Sequence, residues 1–186
     1  MPSPGEGLDR RLFLKGAAAL AVLPPAPSWA ANAPYRFRHG EFEISIVSDG
    51  HMLVRTDLLA PGAPEPERSA TLRAAGQTGE RFQYPTNLTL IRSPSDLVLI
   101  DAGSGPNFMP TTGRVADNLT AAGIDPGEIT KAILTHAHPD HIWGVVGDFD
   151  DLQFPNASYV ISAAEWSYWM GDDAFRGISE DRQNFV

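Results

Sequence analysis

Three histidines and an aspartate crowd into Thr135-His136-Ala137-His138-Pro139-Asp140-His141, immediately behind the apolar run Ala132-Ile133-Leu134. On an extended chain, side chains two residues apart leave the same side, so His136 and His138 at a strand end can converge on one cation. Pro139 turns the chain, and Asp140 and His141 then open a helical turn from which they can face a second cation. Two ions about 3.5–4 Å apart can clamp both the attacking and the leaving oxygen of a hydrolysis. By composition alone, an H-x-H-x-D-H run has a chance of roughly a few in ten thousand. The spacing therefore predicts a metal centre that includes His136, His138, Asp140 and His141. The chain has no cysteine, so its metal donors are limited to imidazole and carboxylate. Those donors suit zinc, manganese or iron. Two divalent ions are expected, with zinc the first choice.

The formal net charge is −9, with 23 acidic against 14 basic residues. That balance excludes a nucleic-acid partner, because phosphate binding needs clustered Lys and Arg. A small-molecule substrate is expected instead. The N-terminus carries Arg10-Arg11, an apolar run from Gly16 to Leu23, three prolines and the small residues Ser28 to Ala33. The apolar run is too short to span a membrane, and Pro24, Pro25 and Pro27 end it, so no stable membrane anchor is expected. The order resembles a twin-arginine export signal, with Asp9 where Ser or Thr is usual. Residues 1–33 are expected to direct the protein to the periplasm or outside the cell, leaving residues 34–186 as one domain.

Along that domain, Phe42 to Ser48 alternates as a strand, and Asp49-Gly50 reads as the turn of a hairpin into Met52 to Thr56. Residues 60–67 hold three prolines and read as a loop. A short helix is expected over Arg68 to Gln77, then strands over Thr86 to Arg92 and Leu97 to Asp101. Thr112 to Ala122 places Val115, Leu119 and Ala122 at helical spacing, and Gly123 stops it. Lys131 to Thr135 and Ser158 to Ser162 read as strands, and Ala163 to Met170 as a helix bearing Trp166, Tyr168 and Trp169. This order indicates an α/β layered domain. His39 and His51 read as surface or core histidines, and core packing is favoured for Trp166 and Tyr168.

From about Gly40 to Trp169 the sequence resembles the metallo-β-lactamase superfamily, most closely its methyl parathion hydrolase branch. The matching stretches are Gly40 to Ser45 with Ser48-Asp49-Gly50, Leu97 to Gly103, Thr112 to Gly123, the histidine cluster, and Phe154 to Ala157. The resemblance implies the N-terminal half of an αββα sandwich, of mixed α+β or α/β class. In it, His136 and His138 bind the first metal, Asp140 and His141 the second, and Asp140 orients the nucleophile. Asp101 would be a supporting carboxylate behind the ligand loop, although a turn-initiating Asp accounts for it equally well. Phe108 and Trp169 would wall an aromatic pocket, with core packing an equal alternative for Phe108.

The activity implied is hydrolysis of an ester-like bond, in a lactone, an aryl ester or a phosphotriester, through a hydroxide bridging the two ions. A β-lactamase, a thioesterase or an iron-dependent thiol-oxidising enzyme fits the same cluster. No histidine follows His141, whereas the superfamily completes its site with two later histidines and a bridging aspartate. The C-terminal half of the domain is therefore expected to be missing from this chain, with an inactive fragment as the alternative to an enzyme. A homodimer of the longer form is also expected.

Overall fold

The structure is a computed structural model that describes residues 33–59, 62–171, 174 and 176. Apart from its last residue, the export segment lies outside the described residues. Six strands form one sheet in the order β1-β2-β3-β4-β5-β6: Tyr35–His39, Phe42–Arg55, Arg81–Arg92, Leu97–Ile100, Lys131–Leu134 and Ser158–Ile161. The first four pair antiparallel and the last three parallel. Parallel pairing requires crossovers. The crossover from β4 to β5 carries α2 (Val115–Ala121), and the one from β5 to β6 carries α3 (Pro139–Ile142) and a 3-10 turn, Trp143–Val145. The helix α1 spans Glu65–Ala74 and α4 spans Ala163–Trp169. Among the described residues no helix is long and apolar enough to cross a membrane.

Strand alternation sorts the side chains by face. Val47, Leu88, Leu90, Leu97, Leu99 and Leu134 point to one side, where they pack with Val115 and Leu119 of α2 and with Ile129 and Phe154. The register places Ile46, Thr89, Ile100, Ile133 and Val160 in one row on the opposite face. That face is apolar but open, with Ile133 37% and Val160 46% exposed. Because β4 and β5 are parallel neighbours, the loops leaving Ile100 and Leu134 emerge side by side at the same sheet edge. Ligands of open α/β sheets bind in this position, outside the carboxyl ends of the strands.

Several expectations change. Asp49-Gly50 is no hairpin turn: β2 runs straight through it, with a register shift between Ser48 and Gly50. Gly50 has φ 103°, and a Cβ there would meet Thr111 O at 2.1 Å, so the Asp-Gly pair makes a bulge rather than a reversal. The proline-rich stretch does join a helix, because α1 starts at Glu65 with Pro66 in its first turn, where no N–H is required. β1 is an additional strand, exposed throughout and carrying His39. β3 begins five residues early, at Arg81. Trp166 and Tyr168 are 59% and 54% exposed, so neither packs in the core: α4 presents them to solvent.

Candidate metal centre

Both loops at the sheet edge are fixed by backbone contacts that exclude side chains. Asp101 N donates to Ile133 O at 2.9 Å, Ala102 N to His141 O at 2.8 Å, and Gly144 N to Gly103 O at 2.9 Å. A Cβ on Gly144 would meet Ala102 O at 2.1 Å, and one on Gly105 would meet Trp143 O at 2.6 Å. Glycine at these positions lets the histidine loop lie directly on the loop that follows β4.

On this platform the four predicted residues come together. The rings of His136 and His138 lie 4.5 Å apart between centroids, and those of His136 and His141 4.0 Å apart. His136 Nε2 and His138 Nδ1 face each other at 3.0 Å, and His141 Nε2 lies 3.3 Å from Asp140 Oδ2. Donors on a tetrahedral ion with bonds of about 2.0–2.1 Å stand roughly 3.3 Å apart. Each pair is therefore near the separation that one ion between its two atoms would impose. Among the described residues no group of three or more of these side chains closes into a complete cage. Three imidazoles and a carboxylate, converging in pairs, nevertheless fit divalent ions of the zinc, manganese and iron type.

Asp101 sits beneath the cluster with φ 64°, a left-handed conformation that aims its carboxylate into the histidine loop. Its Oδ1 accepts from Thr135 N at 2.7 Å and from Thr135 Oγ1 at 2.8 Å, and its Oδ2 accepts from His141 Nδ1 at 2.8 Å. Thr135 Oγ1, having donated to Asp101, accepts from His136 Nδ1 at 3.1 Å. One carboxylate thus engages the Nδ1 side of both His136 and His141, turning each Nε2 toward the neighbouring donors of the cluster.

Electrostatics follow this geometry. His141 is pushed up to about 9 by its bond to Asp101 and then by Asp140. Burial pulls Asp101 upward, but its bonds to His141 and Thr135 outweigh that and hold it below the ordinary carboxylate range. Asp140 is lowered chiefly by its bond to His141. His136 is lowered by burial and by its two histidine neighbours, which keeps it neutral and able to ligate. The position between His141 and Asp140 thus attracts a positive charge, whether a proton or a metal ion.

Trp169 stands edge-on to His138, with 6.4 Å between ring centroids, and its Nε1–H donates to Glu165 Oε2 at 2.9 Å. It lines an apolar hollow of about 540 Å³ with Ile142, Trp143, Val145, Val146 and Met170. Phe108 is not part of that lining; it packs edge-on against Trp143, which is, with 5.8 Å between ring centroids.

Two residues with structural work at the site were missed in the sequence. Asp49, fully buried, accepts from Ser104 N at 2.9 Å and Val115 N at 3.0 Å, tying the β4 loop to the start of α2. Its D-G context signals a turn and hides this. Glu165 is the second. The S-x-x-E spacing from Ser162 marks a helix start but says nothing of the histidine loop that its carboxylate reaches.

Residues 81–181 match the Metallo-beta-lactamase superfamily. The chain is 26% identical over 125 residues to the N-acyl homoserine lactonase AttM of Rhizobium johnstonii. It is 25% identical over 125 residues to the N-acyl homoserine lactonase AttM of Agrobacterium fabrum. Each match covers 58% of this chain and 45% of the relative. Among solved structures, the chain is similar to AidC, a dizinc quorum-quenching lactonase solved in complex with a product. The TM-score is 0.74 and the identity 29%, covering 82% of this chain and 55% of that one. It is also similar to the hydrolase AbOPH in the beta lactamase superfamily, with TM-score 0.73 and 27% identity, covering 82% of this chain and 52% of that one. The chain spans about half the length of the curated relatives it matches.

Proposed function

The chain belongs to the metallo-beta-lactamase superfamily, and on that premise we propose that it serves a metal-dependent hydrolase that opens an acylated lactone, with His136, His138, Asp140 and His141 as metal ligands. The observation that carries this reading is the convergence of three imidazoles and Asp140 at the sheet edge, beside an apolar hollow. Bound there, two divalent ions would supply Lewis acidity and an activated water. The protein's own residues do the rest. Asp101, directly and through Thr135, holds the Nδ1 side of both rings and so aims both Nε2 atoms inward, where a bound ion would take the place of the His141 Nε2 proton. Asp140 adds negative charge that favours cations and can accept a hydrogen bond from the attacking water, which it would orient. Trp169, Trp143 and Ile142 offer an acyl chain a dry surface next to the reacting bond.

Lactone leads among the ester-like substrates because relatives at 25–29% identity carry that activity and an acyl chain suits the apolar wall. A second reading, within the methyl parathion hydrolase branch, is an aryl ester or aryl phosphotriester, favoured by the two indoles in the hollow. Residues 1–33 are proposed to export the protein. If so, Arg10→Lys with Arg11→Lys leaves it in the cytoplasm, as cell fractionation would show.

The test is ring opening of N-hexanoyl homoserine lactone by the zinc-loaded full-length protein, run beside an aryl acetate and an aryl phosphotriester. Lactone turnover that is lost on His136→Ala and on chelation is the expected result. A protein holding two zinc ions that hydrolyses none of the three would overturn the proposal, and would shift attention to β-lactam, thioester or thiol substrates.

A further inference from the structure

Ser162-Ala163-Ala164-Glu165 opens α4 with the spacing of a capping box. In that motif the serine accepts the N–H of the fourth residue, whose carboxylate returns to the serine N–H. The first half is present, with Ser162 Oγ accepting from Glu165 N at 3.1 Å. The carboxylate makes its bonds elsewhere. Glu165 Oε2 accepts the N–H of Ala137 at 3.1 Å and the indole N–H of Trp169 at 2.9 Å. Ala137 is the residue between His136 and His138, 28 positions back in the chain.

The consequence follows from peptide planarity. The Ala137 N–H belongs to the rigid unit joining His136 to Ala137, so fixing its direction anchors the backbone from the His136 Cα to the Ala137 Cα, from which the chain steps on to His138. The same oxygen holds the indole of Trp169, whose ring stands edge-on to His138 and lines the apolar hollow. A carboxylate accepting from a peptide N–H and an indole N–H makes two charge-assisted bonds, stronger than neutral ones. A helix-capping residue has been diverted from its own helix to the two-histidine segment.

We propose that Glu165 is a positioning residue that sets the His136–His138 pair and couples it to the Trp169 wall of the substrate hollow. The proposal rests on the reading of that pair as metal ligands. It touches neither the ions nor the reacting bond, so it acts through Ala137 and Trp169 alone. Substrate pressing on the indole is felt, through one oxygen, at the backbone that carries the imidazoles.

The experiment compares Glu165→Ala, Glu165→Gln and Trp169→Phe in the full chain, first without metal. In Glu165→Ala the Ala137 amide is expected to exchange with solvent about ten-fold faster, as befits one lost hydrogen bond, and the Trp169 indole N–H resonance to shift. Glu165→Gln, which keeps an acceptor oxygen in the same place, retains most of the protection and shows that the fold is intact. Zinc affinity, read by competition with a chelator, falls about 10–100-fold in Glu165→Ala, the range for groups that orient metal ligands. In Glu165→Gln it falls much less. Trp169→Phe removes the indole donor and keeps a ring, and is expected to raise KM for the acylated lactone while leaving zinc affinity close to wild type. Unchanged Ala137 exchange in Glu165→Ala overturns the proposal whether or not zinc binds. So does an unchanged zinc affinity in Glu165→Ala when the wild type binds the metal. A wild-type protein that binds no zinc sinks the metallohydrolase reading instead, and the amide and indole signals still decide whether Glu165 holds the segment.

Discussion

The Nδ1–H of His141 donates to Asp101 Oδ2 at 2.8 Å, and this bond leaves the imidazole's other nitrogen facing Asp140 across 3.3 Å. Asp101 comes from the end of β4 and His141 from the helix after β5, so the pair joins the two loops that build the centre. Asp101→Asn should keep the packing and remove the charge that fixes both the tautomer and the ring orientation. Zinc affinity is expected to drop about 10–100-fold. The His141 titration, followed by NMR in the metal-free protein, should move down from about 9. Undiminished zinc binding in the variant would show that Asp101 only initiates a turn.

The same pair sets a pH window for the metal-free protein. His141 titrates near 6.5 when unfolded and at about 9 when folded. Its contribution is therefore complete below about 6.5 and is lost as pH rises through 9. Asp101 and Asp140 are held below their unfolded value of 3.8, so their contributions are present above that pH and are lost on acidification. Stability in a chelator should be greatest between about pH 4 and 6.5 and lower by about 1 kcal/mol at pH 9.5, the pair being partly exposed and screened. Zinc affinity should run the other way, rising from pH 6.5 to 9 as the ion displaces the His141 proton. Urea midpoints and chelator competition across that range check both slopes, and a midpoint that holds steady from pH 6 to 9.5 would contradict the first.

Asp49 offers a test away from the metal. Its carboxylate supplies acceptors to Ser104 N and Val115 N in a fully buried setting. Asp49→Ala leaves both donors without a partner, a loss of about 1–3 kcal/mol each. The variant should unfold at a urea concentration well below the wild type, with zinc affinity reduced because the loop bearing Gly103 and Ser104 supports His141 and Gly144. Asp49→Asn, which keeps one acceptor oxygen, should recover part of the loss. A wild-type denaturation curve for Asp49→Ala would mean that the loop is held by its glycine contacts alone.

Which parts of this architecture could be read in the residues follows from the range of the forces involved. The strand before the histidines, the turn at Pro139 and the amphipathic spacing of Val115 and Leu119 are local patterns, and each appears within about three residues of its expected bounds. Asp49-Gly50 misled because a bulge and a hairpin turn share the same Asp-Gly chemistry. Only the long partner strand β3 decides between them. Pro66 misled for a similar reason, since proline breaks a helix interior yet suits a first turn. Glu165 and Asp49 act over 28 and 55 to 66 positions of sequence, distances at which one sequence carries no signal of contact.

The open sheet face yields the last prediction. Ile46, Ile100, Ile133 and Val160 line one row of that face, next to Phe37, Ile44, Ile91 and Val98 in the neighbouring row. Half-exposed apolar rows of this extent exceed what a monomeric surface tolerates, because contiguous patches above a few hundred Å² tend to find a partner. At about 25 cal/mol per Å², covering several hundred Å² is worth on the order of 10 kcal/mol, comparable with the whole stability of a domain. The 186-residue chain expressed by itself should therefore self-associate and bind a hydrophobic dye, as sedimentation and fluorescence would show. Ile133→Lys with Val160→Lys places two like charges side by side across β5 and β6 on that face. Where the face is open, the pair should shift the chain toward monomer and cost little stability. Where further protein covers it, the same pair should destabilise by several kcal/mol, because two lysines would be buried without partners. A wild-type chain that sediments as a monomer and binds no dye would mean that the exposed rows are covered in solution.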